Sequence, residues 1–178
     1  MESIIIFGKN YVVVEKKSNV DSVKLRGNKI VINSCKNSPH LLLKEFLSSL
    51  LYSELHKIYN EILKRKKVDV FANLDFEITE KIDGKRNRIA KLEGNKILVK
   101  LNAVALPKSA LKYIVAHEIA HVISKRHTSK FWKIVKTIYP NFEKGQKLLT
   151  KHAEMLIDPL ATFPDDVERD GRGNKELI

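Results

Sequence analysis

Cysteine is nearly absent from this chain. Cys35 stands alone among 178 residues, so an intramolecular disulfide is excluded, and without a CxxC partner the residue reads as structural. Long apolar runs are absent too: no stretch approaches the roughly 18 residues that a membrane-spanning helix needs. The N-terminus, Met1-Glu2-Ser3-Ile4, is acidic and leads straight into a strand-like run, which is not how a signal peptide begins. These absences together point to the cytoplasm. No internal repeat is visible. What is present is a hydrophobic fraction of 43%, enough for the core of one domain at this length.

Acidic charge is scarce over most of the chain. The formal net charge is +12. Residues 150–178 hold Lys151, Arg169, Arg172 and Lys175 against Glu154, Asp158, Asp165, Asp166, Glu168, Asp170 and Glu176, a net −3 that leaves +15 on residues 1–149. A basic body with an acidic tail suits a polyanionic partner, although a lysine-rich solvated surface gives the same composition. The candidate phosphate contacts for DNA or RNA are Lys64, Arg65, Lys66, Lys67, Lys85, Arg86, Arg88, Lys125, Arg126, Lys130 and Lys133.

Along the chain, the apolar runs Ser3–Phe7 and Tyr11–Glu15 flank Gly8-Lys9-Asn10 and predict a hairpin. Asp21–Arg26 and Lys29–Asn33 flank Gly27-Asn28, a turn pair that tolerates positive φ, and predict a second hairpin. The N-terminal part, residues 1–37, is therefore expected to be a small antiparallel sheet. From Ser38 the period changes. Leu42, Leu43, Phe46, Leu47, Leu50, Leu51, Leu55, Ile58 and Ile62 recur at three and four residues, predicting a long helix over about 38–67 with Ser38 as N-cap and a leucine stripe that serves the core. Its last turn carries Lys64-Arg65-Lys66-Lys67, where cations suit the helix dipole. His40 and His56 read as surface residues of this helix. The remainder, 74–157, reads as strands over Phe76–Glu80, Arg86–Leu92 and Lys96–Leu101, with turns at Asp83-Gly84 and Gly94-Asn95. Helices over Pro107–Lys125, Thr128–Ile138 and Phe142–Ile157 follow. Residues 158–178 are expected to be an acidic, loosely ordered tail.

The helix expected over Pro107–Lys125 carries His117-Glu118-Ile119-Ala120-His121, the pattern HExxH, and His127 follows the second histidine by six residues. Imidazoles four residues apart share one helix face, with Cβ atoms about 5–6 Å apart, so both can reach one ion. The flanking residues Leu111, Ile114, Val115, Ile119 and Val122 cover most of the helix circumference, so the titratable side chains among them need partners. Core histidines with Glu118 paired to a lysine would satisfy that need, but would leave the third histidine unexplained. Three imidazoles leave a fourth position for water, the arrangement of a catalytic zinc site. Zn²⁺ there would lower the pKa of water to about 7. Glu118 beside the ligands is placed to act as general base. Tyr113, Tyr139 and His152 are candidates to stabilise an oxyanion by chemistry alone.

Val115-Ala116-His117-Glu118-Ile119-Ala120-His121 followed by His127-Thr128-Ser129-Lys130-Phe131-Trp132 resembles the YgjP-like metallopeptidase family, in which an HELAH helix is followed by an H-S-x-x-F-W stretch. Tyr139-Pro140-Asn141, Gly94-Asn95, Ile97, Asn102, Leu106-Pro107 and Tyr113 also fall where that family has its elements. The resemblance covers residues 86–149 and reaches the N-terminal part in outline. It implies an α+β, zincin-like fold built from N-terminal hairpins, a long helix, a small sheet, the metal helix and C-terminal helices. It also implies His117, His121 and His127 as metal ligands and Glu118 as catalytic base. The family's R-W-G-S-C stretch is Arg88-Ile89-Ala90-Lys91-Leu92 here, which puts the substrate groove in question but not the metal site. The histidine spacing equals that of metzincins, HExxHxxGxxH, but Ser124 stands where that pattern needs a glycine with positive φ. Met155 reads as core rather than as a metzincin turn.

The expected function is peptide-bond hydrolysis. Proteins bound to nucleic acid are candidate substrates, because SprT-like proteases share the HExxH core and the body is basic. A nucleotide phosphohydrolase would fit the basic surface, but such enzymes more often hold Mg²⁺ with carboxylates. A nucleic-acid-binding protein with a structural metal would need a fourth protein ligand.

Overall fold

The computed structural model describes residues 2–65, 73–83, 88–153 and 156. Lys66, Lys67, Lys85, Arg86, Gly84, Met155 and the tail 158–178 lie outside the described residues.

The first four strands are β1 (Ser3–Ile6), β2 (Lys9–Lys17), β3 (Ser22–Arg26) and β4 (Lys29–Ser34), hydrogen-bonded in the order β1-β2-β4-β3. β1 pairs with β2 and β3 with β4 in antiparallel hairpins, as the turn residues predict. The sheet as a whole is not antiparallel, however. β2 and β4 run parallel, Val12 opposite Lys29 through Lys17 opposite Ser34. A hairpin is set locally by its turn, whereas the way two hairpins abut is set by burial. Ile30 and Ile32 on β4 are fully buried, which puts β4 inside the sheet with a neighbour on each side.

The first turn is also tighter than expected. It consists of Phe7 (φ 49°) and Gly8 (φ 77°), and Lys9 and Asn10 already belong to β2. Phenylalanine is strained at positive φ. The strain is held by backbone bonds from Phe7 N–H to the Val104 carbonyl (2.7 Å) and from Gly8 N–H to the Ala105 carbonyl (3.1 Å). These tie the N-terminal sheet to the segment that leads into the HExxH helix.

Helix α1 (Pro39–Lys64) begins where the sequence places it. Ser38 Oγ accepts from Leu41 N–H at 3.2 Å and Pro39 opens the first turn. Its stripe Leu42, Leu43, Leu47, Leu51, Leu55, Ile58 and Ile62 is buried in the core, and the helix stops at Lys64 with Arg65 as cap. Asp21 fixes the connection into α1. Its carboxylate accepts from the backbone N–H of Cys35, Lys36 and Asn37, and these bonds, Cys35's foremost, hold its pKa below the usual carboxylate value. Cys35 thus contributes its backbone, while the residue itself is exposed rather than packed.

The second sheet contains β5 (Asp75–Thr79), β6 (Ala90–Glu93) and β7 (Lys96–Lys100) in the order β5-β7-β6, with β5 parallel and β6 antiparallel to β7. β6 begins at Ala90 rather than Arg86. Arg88 and Ile89 precede the strand, and the Ile89 carbonyl accepts from Lys100 N–H at 2.8 Å. The outer edge of β5 is closed by Asp75. One of its oxygens accepts from Phe76 N–H (2.7 Å) and from Tyr52 OH (3.1 Å) and lies 3.0 Å from His56 Nε2. His56 is therefore half-buried in a polar cluster, not a free surface residue. β6 forms the opposite edge of this sheet.

A 3-10 turn over Leu101–Ala105, not foreseen from the sequence, leads into α2 (Lys108–Ile123). Then come α3 (Ser129–Ile138), capped by Thr128, and α4 (Phe142–Ala153), which ends before the expected Ile157. α2 is buried at every residue from Tyr113 to Ala120, because it packs against α1, β6, α3 and α4 at once.

Candidate metal centre

His117 and His121 sit one turn apart on α2, and the loop 124–128 folds His127 back toward them. Ser124 caps α2 in an extended conformation (φ −136°, ψ 112°). The turn therefore needs no positive φ, and serine is acceptable where metzincins need glycine. Ser124 Oγ donates to the Arg126 carbonyl at 3.1 Å and Thr128 N–H donates to the same oxygen at 2.8 Å, which closes the loop.

The three Nε2 atoms converge. His117 and His121 are 3.2 Å apart, His117 and His127 3.1 Å, and His121 and His127 3.2 Å. Three ring nitrogens aimed at one point cannot all hydrogen-bond to each other, because their lone pairs or protons crowd the same centre. Tetrahedral bonds of about 2.0–2.1 Å to one ion would put the nitrogens about 3.3 Å apart. The donor set therefore fits a divalent metal, and it is the only such cluster among the described residues. Phe131, fully buried, packs against all three rings at centroid distances of 4.9, 4.7 and 4.8 Å. Phe131 is thus both part of the core and the floor of the site, and Trp132 is partly buried against it. Trp132 stacks on His127 at 6.0 Å.

The site is graded from interior to solvent: His117 is buried, His121 half-buried and His127 exposed. Burial, with the charges of His121 and His127, pushes the His117 pKa down to about 3. Burial also lowers that of His121, against the opposing hydrogen bond to the Ser124 carbonyl. Both rings are therefore held neutral, the form that binds a metal. Glu118 is 3% exposed. Its Oε2 accepts from the backbone N–H of Leu92 at 2.8 Å. Burial pushes its pKa up to about 7, against the Leu92 bond and the Arg88 charge. A carboxylate with its affinity for protons raised into this range is suited to taking a proton from water and giving it up again.

Leu92 was not legible as a site residue, because a backbone N–H has no sequence signature. The only hint is that residues 88–92 replace the stretch R-W-G-S-C. Of the three oxyanion candidates, Tyr113 points its hydroxyl at His117 Nδ1 (3.4 Å). Burial pushes its pKa up to about 12. Tyr139 lies under the Lys112 ammonium, 4.9 Å from its ring centroid, and His152 Nδ1 donates to the Leu148 carbonyl at 2.8 Å. Neither is joined to the histidines by a hydrogen bond or ring contact among the described residues.

The candidate phosphate contacts are dispersed over three elements. Lys64 and Arg65 end α1, Lys125 and Arg126 lie in the loop before His127, and Lys130 and Lys133 are on the exposed side of α3. Arg88 is half-buried and acts electrostatically on Glu118 and His121. Lys125, Arg126, Lys130 and Lys133 pair with no carboxylate among the described residues. Lys136, Lys144, Lys147 and Lys151 are exposed on the same two C-terminal helices, where Glu143 is the only acid.

A buried HExxH helix with a third histidine returning over it and a strand N–H bonded to its glutamate is the constellation of a metallopeptidase. Residues 1–152 match the YgjP-like, metallopeptidase domain, and the chain belongs to that family of hydrolases. The match takes in the N-terminal hairpins as well as the motif region, and a divalent metal is implied with it. Among solved structures, the metallopeptidase zymogen abylysin of Pyrococcus abyssi is similar, at 20% identity with a TM-score of 0.42, over 57% of this chain and 93% of that one. No curated protein matches. No helix among the described residues is long and apolar enough to cross a membrane.

Proposed function

We propose that the chain is a zinc-dependent peptidase that works in the cytoplasm, with His117, His121 and His127 as ligands and Glu118 as general base. The observation that carries this reading is the convergence of three Nε2 atoms to 3.1–3.2 Å beside a buried carboxylate. Zinc in such a site acts as a Lewis acid on the scissile carbonyl and makes water acidic enough to lose a proton near neutral pH. The chain's own part is to hold the rings neutral, to take that proton on Glu118 and to pass it to the leaving amine. The Leu92 N–H aims the carboxylate. Alternation along β6 turns the backbone groups of Ala90 and Leu92 away from β7; the Leu92 N–H is taken by Glu118, so a substrate in extended form would meet the Ala90 groups and the Leu92 carbonyl. Among the described residues no cluster of carboxylates offers a Mg²⁺ site and no fourth protein ligand closes the histidine site. Those facts favour a peptidase over a phosphohydrolase or a structural metal.

The first test is elemental analysis. Wild type is expected to hold one zinc per chain and His127→Ala to lose most of it. Unchanged zinc in that variant removes His127 from the ligand set. An undetectable metal content in wild type removes the whole reading.

The unpaired cations around the loop and α3 support a narrower substrate, a protein associated with DNA or RNA. Affinity for either is expected to be nearly independent of sequence and to drop steeply with salt. Deletion of residues 158–178, which are acidic, is expected to tighten it. Absence of binding at low salt makes these lysines a solvated surface and leaves a general peptidase.

A further inference from the structure

We infer that Tyr113 is a positioning residue of the metal centre: its hydroxyl accepts the Nδ1–H of His117 and holds that ring with Nε2 toward the ion, and α4 holds the tyrosine in place. The inference rests on the metal reading above.

Each ligand ring that offers Nε2 to a metal must carry its proton on Nδ1, and what Nδ1 meets decides how firmly the ring is aimed. The three rings differ in this respect. His121 Nδ1 faces the backbone carbonyl of Ser124 at 3.2 Å. The exposed His127 has no Nδ1 partner among the described contacts. His117, the buried one, meets the Tyr113 hydroxyl at 3.4 Å. The two residues are one helical turn apart, so their rings meet edge to face with centroids 5.7 Å apart.

Tyr113 is in turn enclosed by α4. Phe142 stacks on its ring at 6.4 Å with an interplanar angle of 21°. The Gln146 side chain lies close enough to its hydroxyl to favour the ionised form, against the burial that raises the pKa. Gly145 lets the α4 backbone come close enough for both. A Cβ built there would stand 2.7 Å from Tyr113 Cβ. Phe142 also stacks on Trp132 at 5.8 Å, and Trp132 stacks on His127. α4 holds none of the metal ligands, yet through Tyr113 and Trp132 it sets the position of two of them.

Tyr113→Phe keeps the ring and deletes only the hydroxyl. Zinc affinity, measured by competition with a chromophoric chelator, is expected to fall about 10–100-fold, the range for loss of a partner to a metal-bound histidine. In wild type loaded with zinc, the His117 Nδ1 proton should be seen by NMR as a slowly exchanging signal, and it should vanish in the variant. Tyr139→Phe deletes the hydroxyl of a buried tyrosine that has no hydrogen bond or ring contact to the histidines among the described residues, and is expected to change zinc affinity by less than about 3-fold. The melting temperature of the metal-free proteins shows whether each variant is folded. Equal zinc affinity in wild type and Tyr113→Phe overturns the inference, and an equal fall in Tyr139→Phe overturns it too, by transferring the effect to general packing. If wild type itself fails to bind zinc, the metal reading fails instead, so the two failures are distinct.

Discussion

Glu118→Gln is expected to keep the zinc and the fold and to lose peptidase activity by about 10²–10⁴-fold in kcat. Glutamine has the shape of glutamate, and its amide oxygen can still accept the 2.8 Å bond from Leu92 N–H. What it cannot do is accept a proton from water. The effect should therefore fall on the chemical step, with KM little changed. Metal content, circular dichroism and kcat on a fluorogenic peptide, taken together, decide the matter. Full activity would end the general-base assignment. Loss of zinc along with activity would show that the carboxylate supports the site rather than the reaction.

The second large effect concerns α4. Gly145→Ala would ordinarily stabilise a helix by about 0.8–1.0 kcal/mol. Here the added Cβ would stand 2.4 Å from the Ser109 carbonyl oxygen and 2.7 Å from Tyr113 Cβ. Ser109 presents backbone, which has no rotamer to give way, so α2 and α4 must move apart. Overpacking of this kind costs about 1–3 kcal/mol and outweighs the helix preference. A chain of this size should lose about 2–4 °C in Tm for each kcal/mol. Thermal and urea unfolding measure it. A Tm equal to or above wild type would mean that α4 does not cross α2 at Gly145.

How much of the site is legible in the sequence varies residue by residue. His117 and His121 are legible because helical period alone brings residues four apart onto one face. His127 is legible by spacing, but only the loop geometry shows that Ser124 suffices without a left-handed turn. Leu92 contributes a main-chain N–H, which every residue type except proline has, so nothing in its identity announces the role. Tyr113 is recognisable as part of the family pattern. Its place behind His117 depends on a helix that starts 29 residues later, at Phe142. The cations at Lys125, Arg126, Lys130 and Lys133 are surrounded by few acids in the sequence, and their exposure agrees with that.

The fold divides in the same way. Turn chemistry at Gly27 and Gly94, both at positive φ, marks the hairpins β3–β4 and β6–β7. Ser38 and Pro39 mark the start of α1. These are local effects, each set by a few neighbouring residues, and the sequence determined them by itself. The parallel contact between β2 and β4, the burial of β4, the seating of Phe7 against the 3-10 turn and the bond from β6 to Glu118 were decided only by the tertiary structure. Each depends on which of several apolar faces meet in one core, a choice made over the whole chain at once, so no short stretch of residues encodes it.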